Sequence, residues 1–387
     1  MKDAEQIRTL HSRFKDLEIS GRYITNNHLN SFLESQKKYS ITSVFGYSVL
    51  GKPIYMFTVG TGKLKLLIWS QMHGNESTTT KATADFVNFL TSDDLLAQSF
   101  REKFTYKIIL ILNPDGAELY TRENANKVDL NRDFLNLSQP ESRMLMDLYN
   151  DFCPDFCFNM HDQRTIFSVG NTAKSATISF LAPSFNENRD LNAVRTRAIN
   201  VIVDCNNILQ EYIPGYVGRF DDSYNRNCAG DTFQNLGTST VLFEAGHYPG
   251  DYQREVSREA VFVSLVAACE SISDKPVLDN RIEIYMKIPQ NKTLFYDFVY
   301  KNVKINYDGN EIRSIFAAQY REVLQEGSIV LIAYISEVNV SGSICGHIEY
   351  NCNFELFRDA VGNIPVIGQI ANFQIGDKFF KNGQLLE

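Results

Sequence analysis

The order of apolar and polar positions predicts strands that alternate with helices along the first part of the chain. Apolar runs typical of buried strands are "SITSVFGYS", "PIYMFTVG", "KLKLLIWSQ", "YKIILILNP", "DFCFNMH" and "STVLFEAG". Stretches with the 3.6-residue period of a helix separate them, over residues 79–90, 141–152, 189–212 and 254–271. Two more helices are predicted before the first strand, over residues 4–17 and 27–37. This alternation predicts an α/β fold with a mixed, mostly buried sheet flanked by helices.

The pattern changes near residue 280. Short apolar or alternating runs follow, separated by turn residues and with little helical periodicity: "RIEIYMKI", "KTLFYDFVY", "VKINYD", "SIVLIAYI" and "CGHIEYN". A chain of 387 residues is also longer than one hydrophobic core usually supports. We therefore expect an α/β domain over residues 1–274, with an amino-terminal helical segment at 1–40, and a small β-rich accessory domain over residues 275–387.

Composition and charge narrow the class of protein. The chain has 44% hydrophobic and 22% charged residues, as ordinary globular proteins do. A formal net charge of -8 disfavours a nucleic-acid partner or a broad anionic-membrane surface. The sequence has no apolar signal-peptide core and no unbroken apolar run of the roughly 18 residues that span a membrane. Seven cysteines without a C-x-x-C pair agree with a cytoplasmic location, although a secreted chain trimmed of its signal would look the same.

Polar residues follow four of the apolar runs, where ligands bind in open α/β sheets. They are His73 with Glu76, Asp115, His161 and Glu244. Two histidines and a glutamate form the ligand set of many catalytic zinc sites. We therefore predict one Zn²⁺ per chain on His73, Glu76 and His161, with Gly74 allowing a tight backbone path between the first two. The alternative is that each histidine is a hydrogen-bonded structural residue.

The stretch "RENANKVDLNRDF", residues 122–134, places charged and amide groups in an apparent loop. Taken alone it is typical of a solvated turn. Beside a zinc site, Arg132 can hold a substrate carboxylate bidentately with Asn131 donating next to it. Arg122 can stabilise an oxyanion, and Asp129 can orient a ligand histidine.

Two more charged residues have two possible roles each. Glu244 is either a paired structural carboxylate or a general base that passes a proton to the leaving amine. Arg164, in "HDQRT" after the third ligand, either favours an acidic group of the substrate or forms a surface salt bridge.

These segments, in this order from about residue 41 to 271, resemble the zinc carboxypeptidase (metallocarboxypeptidase) family, bacterial type. The motifs are "HGNE", "NPDGAELYTRENANKVDLNRDF", "FNMH" and "LFEAG". The resemblance implies a catalytic domain with zinc on the three predicted ligands and Glu244 as the general base and acid. It implies that Arg122 polarises the scissile carbonyl and that Asp129 supports His73. It also implies that Asn131 and Arg132 bind the terminal carboxylate of the substrate.

The family often places a substrate-binding tyrosine on a loop before the catalytic glutamate. Tyr224 in "DDSYNRNCAGD" is the best-placed candidate, with Tyr248 and Tyr252 as rivals. The pocket for the substrate side chain is expected to include residues 230–232.

The implied partner is a peptide, or an N-acyl amino acid, with a free carboxylate. Asn75 stands where many digestive members of the family have arginine, and "HGNE" is also the form of the aspartoacylase and succinylglutamate desuccinylase branch. A separate β-rich carboxyl domain is similar to that branch, whereas "NANKVDLNRDF" is closer to bacterial carboxypeptidases and murein peptide amidases. We expect a carboxypeptidase, with a cell-wall peptide as one possible substrate. The alternatives are an N-acyl amino acid amidohydrolase and a non-catalytic binding module on the same fold.

Other hydrolase classes are disfavoured. "GYSVLGKP" approaches a phosphate-binding P-loop, but Pro53 replaces the hydroxyl residue that would hold magnesium. The sequence has neither the G-x-S-x-G elbow of a serine hydrolase nor the H-E-x-x-H of a thermolysin-type protease.

Overall fold

The computed structural model describes residues 2–39, 41–274, 281–307, 309–340 and 342–386. They form two compact units. The first contains Met1–Gln163 and Ala176–Asn291, and the second contains Arg164–Ser175 and Lys292–Glu387. The domain boundary predicted after residue 274 adjoins residues 275–280, which lie outside the described part of the chain, and it stays a prediction.

The first unit contains a mixed sheet of eight strands in the order β1-β2-β4-β3-β5-β9-β7-β8. These strands are β1 (Thr42–Tyr47), β2 (Pro53–Val59), β3 (Leu64–Ser70), β4 (Phe104–Ile109), β5 (Phe156–Asp162), β7 (Ile178–Leu181), β8 (Val217–Arg219) and β9 (Ser239–Ala245). The central strands β4, β3, β5 and β9 run parallel, and β1, β2 and β7 pair antiparallel with their inner neighbours. The predicted α/β fold with a mixed, mostly buried sheet is confirmed.

Helices cover both faces of this sheet, because its central strands are apolar on both sides. Leu66 and Ile68 of β3 lie in one core cluster with α1, α3, α7 and α9, while Leu67 and Trp69 lie in a second cluster with α6 and α8. The helices are α1 (Ala4–Phe14), α2 (Asn30–Lys37), α3 (Thr78–Leu90), α4 (Leu95–Lys103), α5 (Pro114–Leu119), α6 (Pro140–Phe152), α7 (Ala193–Tyr212), α8 (Ala229–Asn235), α9 (Glu255–Asp274) and α10 (Ile282–Met286). Short 3₁₀ turns occupy Asn26–Leu29 and Leu130–Arg132. No helix in the described ranges has the length and apolarity needed to cross a membrane.

A buried ion cluster joins the amino-terminal segment to the helices of the first unit. The guanidinium of Arg258 on α9 binds both carboxylate oxygens of Asp85 on α3, each at 2.7 Å. It also donates to the carbonyl oxygens of Asp16 and Ile19, and His11 on α1 lies 3.0 Å from Asp85. Because these groups are buried, their mutual hydrogen bonds replace lost hydration and fix where the segment packs.

The second unit is β-rich, as predicted. One sheet has the order β13-β12-β11-β14, another has β15-β16-β17-β18, and β6 pairs with β10. Its strands are β6 (Phe167–Val169), β10 (Asn291–Thr293), β11 (Phe295–Tyr307), β12 (Asn310–Gln325), β13 (Ser328–Val338), β14 (Cys345–Asn351), β15 (Phe357–Arg358), β16 (Phe373–Ile375), β17 (Lys378–Lys381) and β18 (Gln384–Leu385). Aromatic side chains such as Phe298, Tyr300 and Phe316 fill the core of this unit.

One predicted β segment is wrong. "RIEIYMKI" contains α10 instead of a strand. Its apolar residues alternate, as in a strand, but Ile284 and Met286 are exposed. Tyr285 is buried, and Ile282 and Ile288 pack on the core of the first unit. The spacing of 282, 285 and 288 is helical.

Candidate metal centre

The loop after β3 carries two of the predicted metal ligands in a tight turn. Gln71 adopts a left-handed backbone conformation, and its side-chain amide donates to the carbonyl oxygens of Gly74 and Ile24, each at 2.8 Å. A Cβ at Gly74 would lie 2.0 Å from the backbone carbonyl carbon of Gly116, so only glycine fits there. The amide of Glu76 donates to the carbonyl of His73 at 3.1 Å, which brings the two side chains together.

The third predicted ligand reaches the same point from the end of β5. His73 Nδ1 lies 2.9 Å from Glu76 Oε1, and His161 Nδ1 lies 2.8 Å from Glu76 Oε2. The two Nδ1 atoms are 3.1 Å apart. Within the described ranges, this is the one group of three His, Cys, Asp or Glu residues arranged so that it could hold a metal ion.

The chemistry of these donors fits a cation. His73 Nε2 lies 2.9 Å from Asp129 Oδ1, and because an ionised carboxylate only accepts, Nε2 must donate. A neutral His73 ring then directs the lone pair of Nδ1 toward a carboxylate oxygen and another ring nitrogen. Nitrogen and oxygen ligands of this kind suit Zn²⁺. The predicted zinc site on His73, Glu76 and His161 is confirmed.

Electrostatics keep the ligand carboxylate ionised. Burial alone would raise the pKa of Glu76, but the adjacent His73 and His161 outweigh it and hold the pKa well below its usual value. Burial lowers the pKa of both histidines. For His73 the charge of Glu76 and the hydrogen bond to Asp129 reverse that effect and raise the pKa, whereas the pKa of His161 stays lowered.

Arg122 and Asp129 form a second layer around the ligands. Arg122 Nε donates to Asp129 Oδ2 at 3.0 Å, and Arg122 Nη1 donates to Glu76 Oε1 at 3.2 Å. Burial favours a higher pKa for Asp129, but the hydrogen bond from His73 and the charges of His73 and Arg122 hold it well below the usual range. Asp129 therefore has the contact with His73 that the sequence predicted for it.

Asn131 and Arg132 follow Asp129 directly and contact the start of α8. The amide of Ala229 donates to Asn131 Oδ1 at 2.9 Å. The exposed Arg132 donates through Nη1 to Asn131 O at 2.7 Å and to Cys228 Sγ at 3.0 Å. The contacts with Cys228 and Ala229 were not predicted, because no sequence motif identifies a particular thiol or backbone N–H as the partner of these side chains.

Asp231 in the first turn of α8 belongs to the predicted side-chain pocket at residues 230–232. Its carboxyl is buried, which raises the pKa to about 7, although the amide of Asn225 and the charge of Arg132 act in the opposite direction. It thus titrates near neutral pH, unlike an ordinary aspartate.

Glu244 lies beside the third ligand. Strands β5 and β9 run parallel with His161 paired to Glu244. Burial, followed by the negative charges of Glu76 and Asp162, raises the pKa of Glu244 well above its ordinary value. A carboxylate is thus present at the strand end where the sequence predicted a base, and its catalytic role stays a prediction.

The other predicted substrate-binding residues are a tyrosine and an arginine. Tyr224 is half-buried in the segment between β8 and α8. The rings of its rivals are packed, Tyr248 against Tyr216 and Tyr252 against His247. Arg164 is exposed and belongs to the second unit. The roles proposed for Tyr224 and Arg164 stay predictions.

The fold and site define a class of protein: a mixed α/β sheet with a histidine–glutamate–histidine zinc site at the ends of its parallel strands. The family model described as "Zinc carboxypeptidase" matches residues 26–151. Over these residues the chain is similar to the zinc carboxypeptidase family.

Sequence relatives are similar over part of the chain, and solved structures share its fold. Carboxypeptidase SOL1 of Arabidopsis thaliana is 31% identical over 158 residues, which cover 35% of this chain and 32% of that protein. A metallo-carboxypeptidase from Burkholderia cenocepacia is similar with a TM-score of 0.51 and 17% identity, covering 64% of this chain and 69% of that one. Carboxypeptidase A from Helicoverpa armigera is similar with a TM-score of 0.50 and 17% identity, covering 73% and 79%. The chain spans a third or less of the sequence relatives it matches.

Proposed function

We propose that this protein is a zinc-dependent carboxypeptidase that hydrolyses the amide bond next to the carboxyl-terminal residue of a peptide. One observation carries the proposal: the zinc ligands, the carboxylate of Glu244 and the guanidinium of Arg122 come together at the carboxyl ends of neighbouring parallel strands and their loops.

Different groups at and around the metal site can perform different steps of hydrolysis. Zinc, when bound, supplies Lewis-acid polarisation of the carbonyl and lowers the pKa of water. Glu244 takes a proton from the attacking water and delivers it to the leaving amine.

Arg122 is placed to stabilise negative charge on the carbonyl oxygen. Its contacts with Asp129 and Glu76 use two of the five guanidinium N–H groups. Its side chain is 41% exposed, so the remaining donors are accessible to a substrate.

Replacing Arg122 with Ala is expected to lower kcat by about 10²- to 10³-fold, the usual effect of losing one oxyanion donor. Zinc content, measured by mass spectrometry, should stay at the wild-type value, and Arg122→Lys should recover part of the rate. If the loss of rate followed a loss of zinc, Arg122 would act through Glu76 and Asp129 instead of on the substrate.

The substrate carboxylate is assigned to Arg132 and Asn131. Arg132 is exposed and cationic, and Asn131 uses its side-chain oxygen for the amide of Ala229, which leaves its NH₂ group to donate. A carboxylate bound there fixes the cleaved bond one residue from the end of the peptide.

The experiment that tests this assignment is Arg132→Ala assayed on paired substrates, one with a free terminal carboxylate and one amidated. Loss of a charge-assisted pair worth roughly 1.5–3 kcal/mol should lower kcat/KM for the free acid by about 10- to 150-fold. The value for the amide should change little. Arg143→Ala removes another exposed arginine that donates to backbone carbonyls, at 3.0 and 2.7 Å, and serves as the control. Equal losses on both substrates would contradict the role of Arg132.

An N-acyl amino acid amidohydrolase is the second candidate, and Asn75 favours it. This residue lies between the two loop ligands where many digestive carboxypeptidases have arginine, and its Oδ1 is buried without a hydrogen-bond partner among the described residues. Zinc-loaded protein should be screened against peptides, including cell-wall peptides, and N-acyl amino acids. Release of amino acids only from the N-acyl set would favour the second candidate, and release from neither would favour a binding module.

A further inference from the structure

Asp162, the residue after the third zinc ligand, contacts both chain segments that carry ligands. It ends β5 and is 8% exposed. Its Oδ2 accepts from the amide of Thr78 at 2.7 Å, and its Oδ1 accepts from the amide of Thr79 at 3.1 Å. These amides open α3, two and three residues after the ligand Glu76.

The carboxylate of Asp162 replaces a local cap on α3. The first amides of a helix have no partner within the helix, and a side chain at the N-cap position usually accepts from them. Ser77 holds that position but makes no such bond, and its hydroxyl instead donates to the carbonyl of Arg22 at 2.6 Å. The cap therefore comes from Asp162 at the end of β5. Its negative charge also suits the positive end of the helix dipole.

The backbone amide of Asp162 makes a second contact, with the ligand Glu76 itself. Its amide donates to Glu76 Oε2 at 3.1 Å, the same oxygen that lies 2.8 Å from His161 Nδ1. The side chain of Asp162 thus holds the backbone that follows Glu76, while its amide orients the carboxylate of Glu76. Both contacts fix the His73–Glu76 segment relative to His161.

We propose that Asp162 is a positioning residue that sets the separation of the zinc ligands. This inference rests on the metal site and deepens the proposed function, but it does not depend on which substrate is cleaved. Without the carboxylate, the start of α3 loses its cap and the Glu76 segment is no longer tied to the end of β5.

The test is the zinc affinity of the purified full chain, measured by competition with a chelating dye. Asp162→Ala should bind zinc about 10- to 100-fold more weakly, the range found for residues that orient metal ligands. Asp162→Asn keeps one carbonyl oxygen as an acceptor and should give an intermediate affinity. The visible absorption of the Co²⁺-loaded protein should change in Asp162→Ala, because those bands report ligand geometry.

The matched control is Asp94→Ala. Asp94 caps α4 by accepting from the amide of Leu96 at 3.0 Å, so its loss removes the same kind of cap away from the ligands. Its zinc affinity should stay at the wild-type value.

Wild-type zinc affinity and an unchanged Co²⁺ spectrum in a folded Asp162→Ala variant would overturn the inference, as would equal weakening in Asp94→Ala. If Asp162→Ala fails to fold by circular dichroism, Asp162→Asn decides, and a folded Asn variant with wild-type affinity overturns the inference. If the wild type binds zinc but cleaves nothing in the substrate screen, the proposed function fails while the affinity comparison still tests Asp162.

Discussion

Replacing Glu244 with Gln is expected to lower kcat by about 10²- to 10⁴-fold, the contribution of one general acid–base group. Glutamine keeps the shape of the side chain but cannot accept a proton from water or return it to the amine. Because Glu244 is not among the three zinc ligands, zinc should remain bound at one ion per chain. The measurement is kcat on a peptide with a free carboxyl terminus, together with metal content.

The control for this variant is Glu270→Gln, which replaces a buried glutamate on α9. It should retain the wild-type kcat. Near-normal turnover in Glu244→Gln would remove Glu244 from the mechanism. Loss of zinc in that variant would instead make Glu244 part of the metal site.

Replacing His161 with Ala is expected to weaken zinc binding by more than about 100-fold, beyond the range found for residues that only orient ligands. The two remaining ligands come from one loop, so nothing from β5 would close the site. Hydrolysis should fall to background in the variant, and in the wild type after treatment with a chelator. Adding zinc should restore the wild type but not the variant.

His11→Ala is the matched control, because His11 is also buried and bonded to a carboxylate, Asp85. That variant should lose stability but keep its zinc affinity. A His161→Ala protein with one zinc per chain and a normal kcat would show that His161 is not a ligand.

The sequence predicted best those strands whose buried apolar run ends in a residue of recognisable chemistry. β3, β5 and β9 are apolar runs that end in His73 and Glu76, His161 and Glu244, so both the strands and the polar residues at their ends could be predicted. The strand order β3-β5-β9 could not be read from the chain, because neighbours in the sheet are distant in sequence. Only the resemblance to a family indicated that the ends of these strands lie side by side.

Contacts made by the backbone account for most of what the sequence did not predict. Asp162 accepts from the amides of Thr78 and Thr79, and Asn131 accepts from the amide of Ala229. Every residue except proline has such an amide, so no residue type identifies its partner. The segment "RIEIYMKI" was predicted as a strand because its isoleucines alternate with other residues. The side chain that it buries in the core is instead that of Tyr285, which lies between them.

The close approach of Gly74 to Gly116 ties the zinc loop to the turn that starts α5. A Cβ on Gly116 would in turn lie 2.6 Å from the carbonyl oxygen of Glu123, next to Arg122. The loop after β3 therefore meets the backbone of the first turn of α5, and that turn packs in its own right against the side chain of Asn113 and the backbone of Glu123. A methyl group added at Gly74 would displace the loop that carries His73 and Glu76, and one added at Gly116 would displace Asn113 or the backbone beside Arg122.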